Sequence, residues 1–263
     1  MGRSGVDYAD YNITVYRSPC PYRCVYCWAW RIPVMASRIS RGKYNPIDEA
    51  KRVSRRPKGR VVVSFTSDPY PPEEVVRRVT RSVIHYLVVN SPHTIMVLTK
   101  NPINALNDVD IYWLAPRNAS EVWVGTTITS ADSYHPFSTL WEPHAPRTRL
   151  RLEALRFMQK HEVNVWLSLE PLIPVDHFDV WPESLIVTAL EVLDLERIKL
   201  VVLGRLNYIS QLRKSLPFSV GSEEDVCKYY REHVPLAIDI LKQHGIPYHI
   251  KKELQKCLEG EDA

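Results

Sequence analysis

The chain has 263 residues, 45% of them hydrophobic and 24% charged, with a formal net charge of +4. That length suits a single domain of β/α-barrel size, spanning residues 1–263, and the balance is that of an ordinary soluble globular protein. No apolar run approaches the ~20 residues of a membrane span, no secretory signal is visible, and the mild basicity permits nucleic-acid binding without arguing for it. A cytoplasmic monomer is the expectation, and nine glycines against 20 prolines, with many Arg and Glu residues, suit a thermophilic source.

In chain order, residues 12–17 read as a first strand, followed by a loop carrying Cys20, Cys24 and Cys27. Residues 47–56 suit a helix, with Asp48 and Glu49 favourable in its first turn. Residues 60–66 are a β-branched strand ending in Ser67-Asp68-Pro69, and 72–88 repeat Val75, Val76, Val79, Val83 and Leu87 at helical spacing. Strands are expected over 94–99, 121–129, 164–169, 199–203 and 248–251. Helices are expected over 147–161, 182–195 and 223–243. Nearly continuous apolar strands separated by amphipathic helices predict an α/β fold: a partial (β/α) barrel of six to seven mainly parallel strands. The core covers about 8–210, and the C-terminal helix and strand 223–252. Chemistry in such barrels sits at the C-terminal strand ends. There the sequence places Thr66-Ser67-Asp68-Pro69-Tyr70, Thr99-Lys100-Asn101, Gly125-Thr126-Thr127-Ile128-Thr129, Ser168-Leu169-Glu170-Pro171 and Gly204-Arg205-Leu206-Asn207.

The cysteine loop is the most informative segment. Three of five cysteines fall within eight residues, and three thiolates on one short loop can hold a soft metal centre. A structural zinc site is closed by four ligands, yet the nearest histidine, His85, falls in a predicted helix. One metal corner therefore stays open to a substrate or cofactor. Cys227 and Cys257, alone in polar sequence, are expected to be free structural thiols.

The spacing C-x3-C-x2-C, with Tyr26 before its last cysteine, resembles the signature of radical S-adenosylmethionine (SAM) enzymes. The resemblance implies that Cys20, Cys24 and Cys27 bind three irons of a 4Fe–4S cluster while SAM chelates the fourth. It further implies reductive cleavage of SAM to methionine and a 5′-deoxyadenosyl radical that abstracts hydrogen from a substrate, with an electron donor such as flavodoxin or ferredoxin. The cysteine loop, Thr66–Tyr70, Leu98-Thr99-Lys100 and Glu142-Pro143-His144-Ala145-Pro146 with Arg149-Leu150 together look like the spore photoproduct lyase and DNA repair photolyase-like branch. By that similarity Ser67 and Asp68 receive the methionine amino group and Lys100 the carboxylate. Thr127, ahead of Thr126 and Thr129, touches the ribose or carboxylate, and Tyr26 lies near the adenine. The substrate class stays open between a nucleic acid, which the branch resemblance implies, a small molecule and a peptide. Phe65, however, stands where that branch's lyase carries a hydrogen-donating cysteine, and Trp28 where it carries a tyrosine, so photoproduct repair itself is not expected; Tyr70 or a cysteine from elsewhere is an alternative donor. The competing reading is a non-catalytic iron–sulfur or zinc protein that binds nucleic acid through residues 52–60 and 147–151, although such Arg runs are more often solvated helix faces.

Overall fold

The computed structural model describes residues 6–17, 19–39, 44–63 and 66–260. Seven parallel strands lie in sequential order: β1 (Tyr11–Ile13), β2 (Arg60–Val63), β3 (Thr94–Leu98), β4 (Glu121–Thr127), β5 (Asn164–Leu172), β6 (Ile198–Arg205) and β7 (Tyr248–Ile250). They curl into a half-barrel, the partial barrel expected from the alternating pattern. Helices α1 (Trp28–Arg31) and α2 (Pro33–Ile39) follow the cysteine loop, and α3 (Pro46–Ser54) leads into β2. The other connections carry α4 (Glu74–Arg77), α5 (Val79–Asn90), α6 (Pro102–Ala105), α7 (Val109–Tyr112), α8 (Phe137–Trp141), α9 (Thr148–Lys160), α10 (Pro182–Leu190), α11 (Ile209–Leu212) and α12 (Glu223–Gln243), and α13 (Lys252–Glu259) ends the described chain.

The two faces of the strands are both apolar, as a parallel sheet requires. Residues such as Val61, Val63, Ile95, Val97, Val124 and Leu167 pack outward against the helices. The concave face is filled by Val62, Met96, Trp123, Trp166, Leu200 and Val202, with Val6 and Tyr8 from the segment before β1. Each fully buried aliphatic side chain contributes roughly 1.5–3 kcal/mol. Gly125 makes room inside: a Cβ there would lie 2.5 Å from the Trp166 indole nitrogen, which donates to Val97 O at 3.1 Å. The N-terminal plug leaves the C-terminal strand ends open as a bowl.

Several predicted boundaries shift for identifiable reasons. The expected first strand 12–17 pairs only as Tyr11–Ile13, because the chain then turns into the cysteine loop. Of the strand expected over 60–66, residues 64 and 65 lie outside the described residues. The helix expected over 72–88 breaks at Arg78, whose φ is 51°. The Glu74 carboxylate accepts from the Val79 and Arg81 amides at 3.1 Å each and so caps α5 from the preceding turn, leaving Val75 and Val76 exposed. Strand β5 runs beyond 169 through a cis Glu170–Pro171 peptide. Helix α12 keeps its predicted span, started by a capping box between Ser222 and Asp225.

Cys227 and Cys257 are a correction. They form a disulfide, with Cα atoms 5.0 Å apart, because α13, absent from the sequence reading, packs back on α12. No described helix is long and apolar enough to cross a membrane.

Candidate functional site

The cysteine loop is held from several sides. Arg23 adopts φ 50°, a left-handed turn that costs a non-glycine residue energy unless its surroundings enforce it. Tyr22 OH donates to Tyr70 O at 2.6 Å, and Val25 N to Trp141 O at 2.8 Å. Cys27 N donates to Cys24 O, and Cys27 then opens α1 by accepting from Arg31 N, each at 3.1 Å. The thiols are therefore preset rather than free to splay.

All three cysteines line one cavity of about 1020 Å³, counting its open mouth. Each of the five polar strand exits reaches it: Thr66, Ser67 and Asp68; Thr99 and Lys100; Thr127; Ser168 and Glu170; Arg205 and Asn207. Tyr26 and Trp28 complete the cysteine side. The hydroxyls of Thr66, Ser67 and Ser168 and the Arg205 Nε are buried there without a hydrogen-bond partner. Buried polar groups are rarely left so, and their convergence marks a site shaped for a polar ligand. Among the described residues, neither a histidine nor a fourth cysteine lines the cavity. Burial pushes the Cys20 thiol up to about 11 and raises Cys24 and Cys27 as well.

The register of β4 sorts its three threonines. Thr127 lines the cavity, whereas Thr126 Oγ1 turns away to donate to Thr99 O at 2.7 Å and Thr129 Oγ1 donates to Glu142 Oε1 at 3.1 Å. Asp68 lines the cavity too, but it also ties strands together. It accepts from Tyr70 N at 2.8 Å, Thr99 Oγ1 at 2.6 Å and Lys100 N at 2.7 Å. Oδ2 takes only the last of these and keeps a lone pair.

Behind the cysteines lies a buried ionic group that the sequence reading did not assign. The Glu142 carboxylate accepts from Tyr26 OH and pairs with Arg151 Nη2, and Lys100 Nζ stands 3.2 Å from Glu142 Oε1. Lys100 Nζ also lies 5.5 Å from the Tyr26 ring centroid, within cation–π reach. Burial alone would raise the Glu142 pKa, but Arg151 and Lys100 hold it down to about 2. Burial would likewise lower Lys100, and Glu142 reverses the sign to a net increase. On the opposite wall Lys251 pairs with Glu170, an approach that Gly204 permits, since a Cβ there would lie 2.8 Å from Glu170 Cγ.

The structure thus brings Cys20, Cys24, Cys27, Tyr26, Ser67, Asp68, Lys100 and Thr127 to one place. Tyr70 does not join them: it is buried, and its hydroxyl lies 2.6 Å from Asp108 and 2.7 Å from Tyr112, outside the cavity lining. Phe65 lies outside the described residues. Of the basic segments, 52–60 precedes β2 at the end of the sheet away from the cavity. Residues 147–151 are not a solvated face throughout, because Arg151 is fully buried on Glu142. Sequence reasoning missed Tyr8, which lines the cavity from the N-terminal plug, and Lys251.

No family model matches the chain. A Methanocaldococcus jannaschii protein described as uncharacterized is 26% identical over 178 residues, which cover 65% of this chain and 63% of that protein, less than two thirds of its length. A spore photoproduct lyase variant with bound AdoMet and dinucleoside spore photoproduct superposes with TM-score 0.67 and 16% identity, over 93% of this chain and 78% of that one. Streptococcus suis SuiB bound to S-adenosylmethionine does so with TM-score 0.53 and 10% identity, over 91% and 45%. Both are radical SAM enzymes. The chain has their fold, and it resembles them as its cysteine motif indicated.

Proposed function

We propose that the protein is a radical SAM enzyme. Cys20, Cys24 and Cys27 would hold a 4Fe–4S cluster, and Ser67, Asp68, Lys100 and Thr127 would hold SAM. One observation carries this: a three-cysteine loop shares its cavity with unpartnered buried hydroxyls and a buried lysine head. The cavity sets a few convergent polar groups in a mainly apolar lining, is large enough for a nucleoside-sized molecule and is open at one side, so the residues fit both groups. When bound, the reduced cluster and SAM supply one-electron cleavage of SAM and hydrogen-atom abstraction from a substrate.

The chain's own contribution is binding, orientation and exclusion of water. Lys100 offers its ammonium to the methionine carboxylate, as a cation held in a dry site does well. The Asp68 Oδ2 lone pair and the Ser67 hydroxyl accept from the amino group. Thr127 meets the ribose or carboxylate, and the Tyr26 ring backs the adenine. Tyr8 and the Trp166 layer close the floor against solvent.

A nucleic-acid substrate forms the second part of the proposal. It is supported by the likeness to the photoproduct lyase branch and by the rim, where Trp28 lies 6.2 Å from the partly exposed Tyr208 ring and α11 leads to Arg213 and Lys214. Aromatic and basic groups in that mixture suit stacked bases and phosphates. The test is anaerobic reconstitution with iron and sulfide, then reduction with dithionite in the presence of SAM. Formation of 5′-deoxyadenosine and methionine is the expected result. Protein that takes up zinc but no iron–sulfur cluster under those conditions would refute the proposal.

A further inference from the structure

We infer that Glu142 is a positioning residue, which aims the Lys100 ammonium and fixes the Tyr26 arm of the cysteine loop for SAM; this rests on the function proposed above. Glu142 opens the Glu-Pro-His-Ala-Pro segment, which the cofactor assignment leaves without a role. Its side chain is completely buried, and four donors converge on it. Oε1 receives Tyr26 OH and Thr129 Oγ1 and faces Lys100 Nζ, while Oε2 receives Arg151 Nη2. Oε1 is fully taken, and although Oε2 keeps an acceptor position, Glu142 lies behind the cavity and not among its lining residues, out of a ligand's direct reach. It acts through the groups it holds.

Those groups belong to the parts of the site that must keep register. Tyr26 sits between Cys24 and Cys27, Lys100 ends β3, and Thr129 follows β4. Arg151 backs them from α9, donating also to Thr127 O at 2.9 Å and Pro146 O at 2.6 Å. One carboxylate against two cations leaves one positive charge in the group. Arg151 faces away from the cavity and Lys100 lines it, so the Lys100 head presents that charge to a carboxylate-bearing ligand. Without Glu142, Arg151 and Lys100 would repel each other and the lysine head would lose its anchor. A Glu142 that merely competed for Lys100 would have the opposite effect: its removal would tighten SAM binding.

A double-mutant cycle on cluster-loaded protein separates these cases. SAM dissociation constants are measured anaerobically by calorimetry for the unmodified protein, Glu142→Gln, Lys100→Met and the double variant. Glu142→Gln is expected to weaken SAM binding about tenfold, and to change it less than about twofold once Lys100 is Met, since the glutamine amide oxygen still accepts from Tyr26 OH and only the lost charge, felt through Lys100, remains. A general structural loss would not vanish with Lys100. Unchanged or tighter binding in Glu142→Gln, or equal losses in both backgrounds, overturns the inference. Because Glu142→Gln leaves Arg151 buried without its counter-ion, Tyr26→Phe provides a second route that keeps every charge. It should weaken SAM binding severalfold at unchanged iron content, and unchanged affinity overturns the inference even if Glu142→Gln fails to fold. An unmodified protein that carries the cluster yet binds no SAM refutes the proposed function itself, and is told apart by that first measurement.

Discussion

The Thr99 hydroxyl donates to the Asp68 carboxylate at 2.6 Å, joining the C-terminal ends of β2 and β3 beside the cysteine loop. Tyr70 N and Lys100 N donate to the same carboxylate, so one buried side chain sets the path of two cavity-forming segments. Ser67, next to it, has a hydroxyl with no protein partner. The two neighbours should therefore fail differently.

Asp68→Ala strands three donors and should lower folding stability by about 1–3 kcal/mol or more, visible as a lower urea midpoint. Ser67→Ala should leave that midpoint unchanged and weaken SAM binding instead. Equal midpoints for both variants would show that Asp68 is not the tie described here.

Acid should unlock the Glu142 group. Its folded pKa is depressed to about 2 by Arg151 and Lys100 acting against burial, while an unfolded glutamate titrates near ~4.3. A depressed folded pKa contributes stability that is complete above the unfolded value and lost as pH falls from there toward 2. Urea unfolding between pH 7 and pH 3 should show a steep acid-side loss in the unmodified protein and a flatter one in Glu142→Gln. Parallel profiles would count against a charged Glu142.

Alanine at Cys20, Cys24 or Cys27 should abolish cluster formation, read by iron content and visible absorption. Serine at Cys227 or Cys257 should leave the cluster intact and cost folding stability instead. For the separation of 30 residues that the disulfide closes, chain entropy puts that cost at about 3–4 kcal/mol. A cluster that survives loss of Cys24 would contradict the ligand assignment.

Lys100→Ala should weaken SAM binding by about 1.5–3 kcal/mol, the scale of a hydrogen bond to a charged group. Within β4 the register makes a sharper comparison. Thr127→Val should weaken SAM binding at unchanged stability, whereas Thr126→Val should lose its bond to Thr99 O and lower stability with little change in SAM affinity. The reverse pattern would move the contact to Thr126.

Oligonucleotide carrying spore photoproduct, incubated anaerobically with SAM and dithionite, should yield few or no restored thymines. Phe65 lacks a transferable hydrogen, and Tyr70 points its hydroxyl at Asp108 and Tyr112 rather than into the cavity. Efficient multiple-turnover repair would show that another donor serves.

Local pattern was enough for the strand–helix alternation, the partial barrel and the five polar strand exits, because each depends on short-range periodicity and on where a parallel strand ends. The same holds for the cysteine loop, whose ligands are neighbours in sequence. Helix α12 kept its predicted span because its capping box and its apolar stripe agree. What pattern could not supply were meetings between distant segments. Glu142 sits in a motif to which local pattern gives no role, since nothing local says that its carboxylate will reach Lys100, Tyr26 and Arg151. Arg151 looked like one more solvated arginine until α9 buried it. Cys227 and Cys257 looked unpaired because α13 carries too short an apolar pattern to announce that it folds back on α12. Thr127 and Thr126 differ by one step in a β-strand, a step that points the side chain to the opposite face. Which face looks into the cavity was decided only when β4 paired with β3 and β5 and the sheet curled.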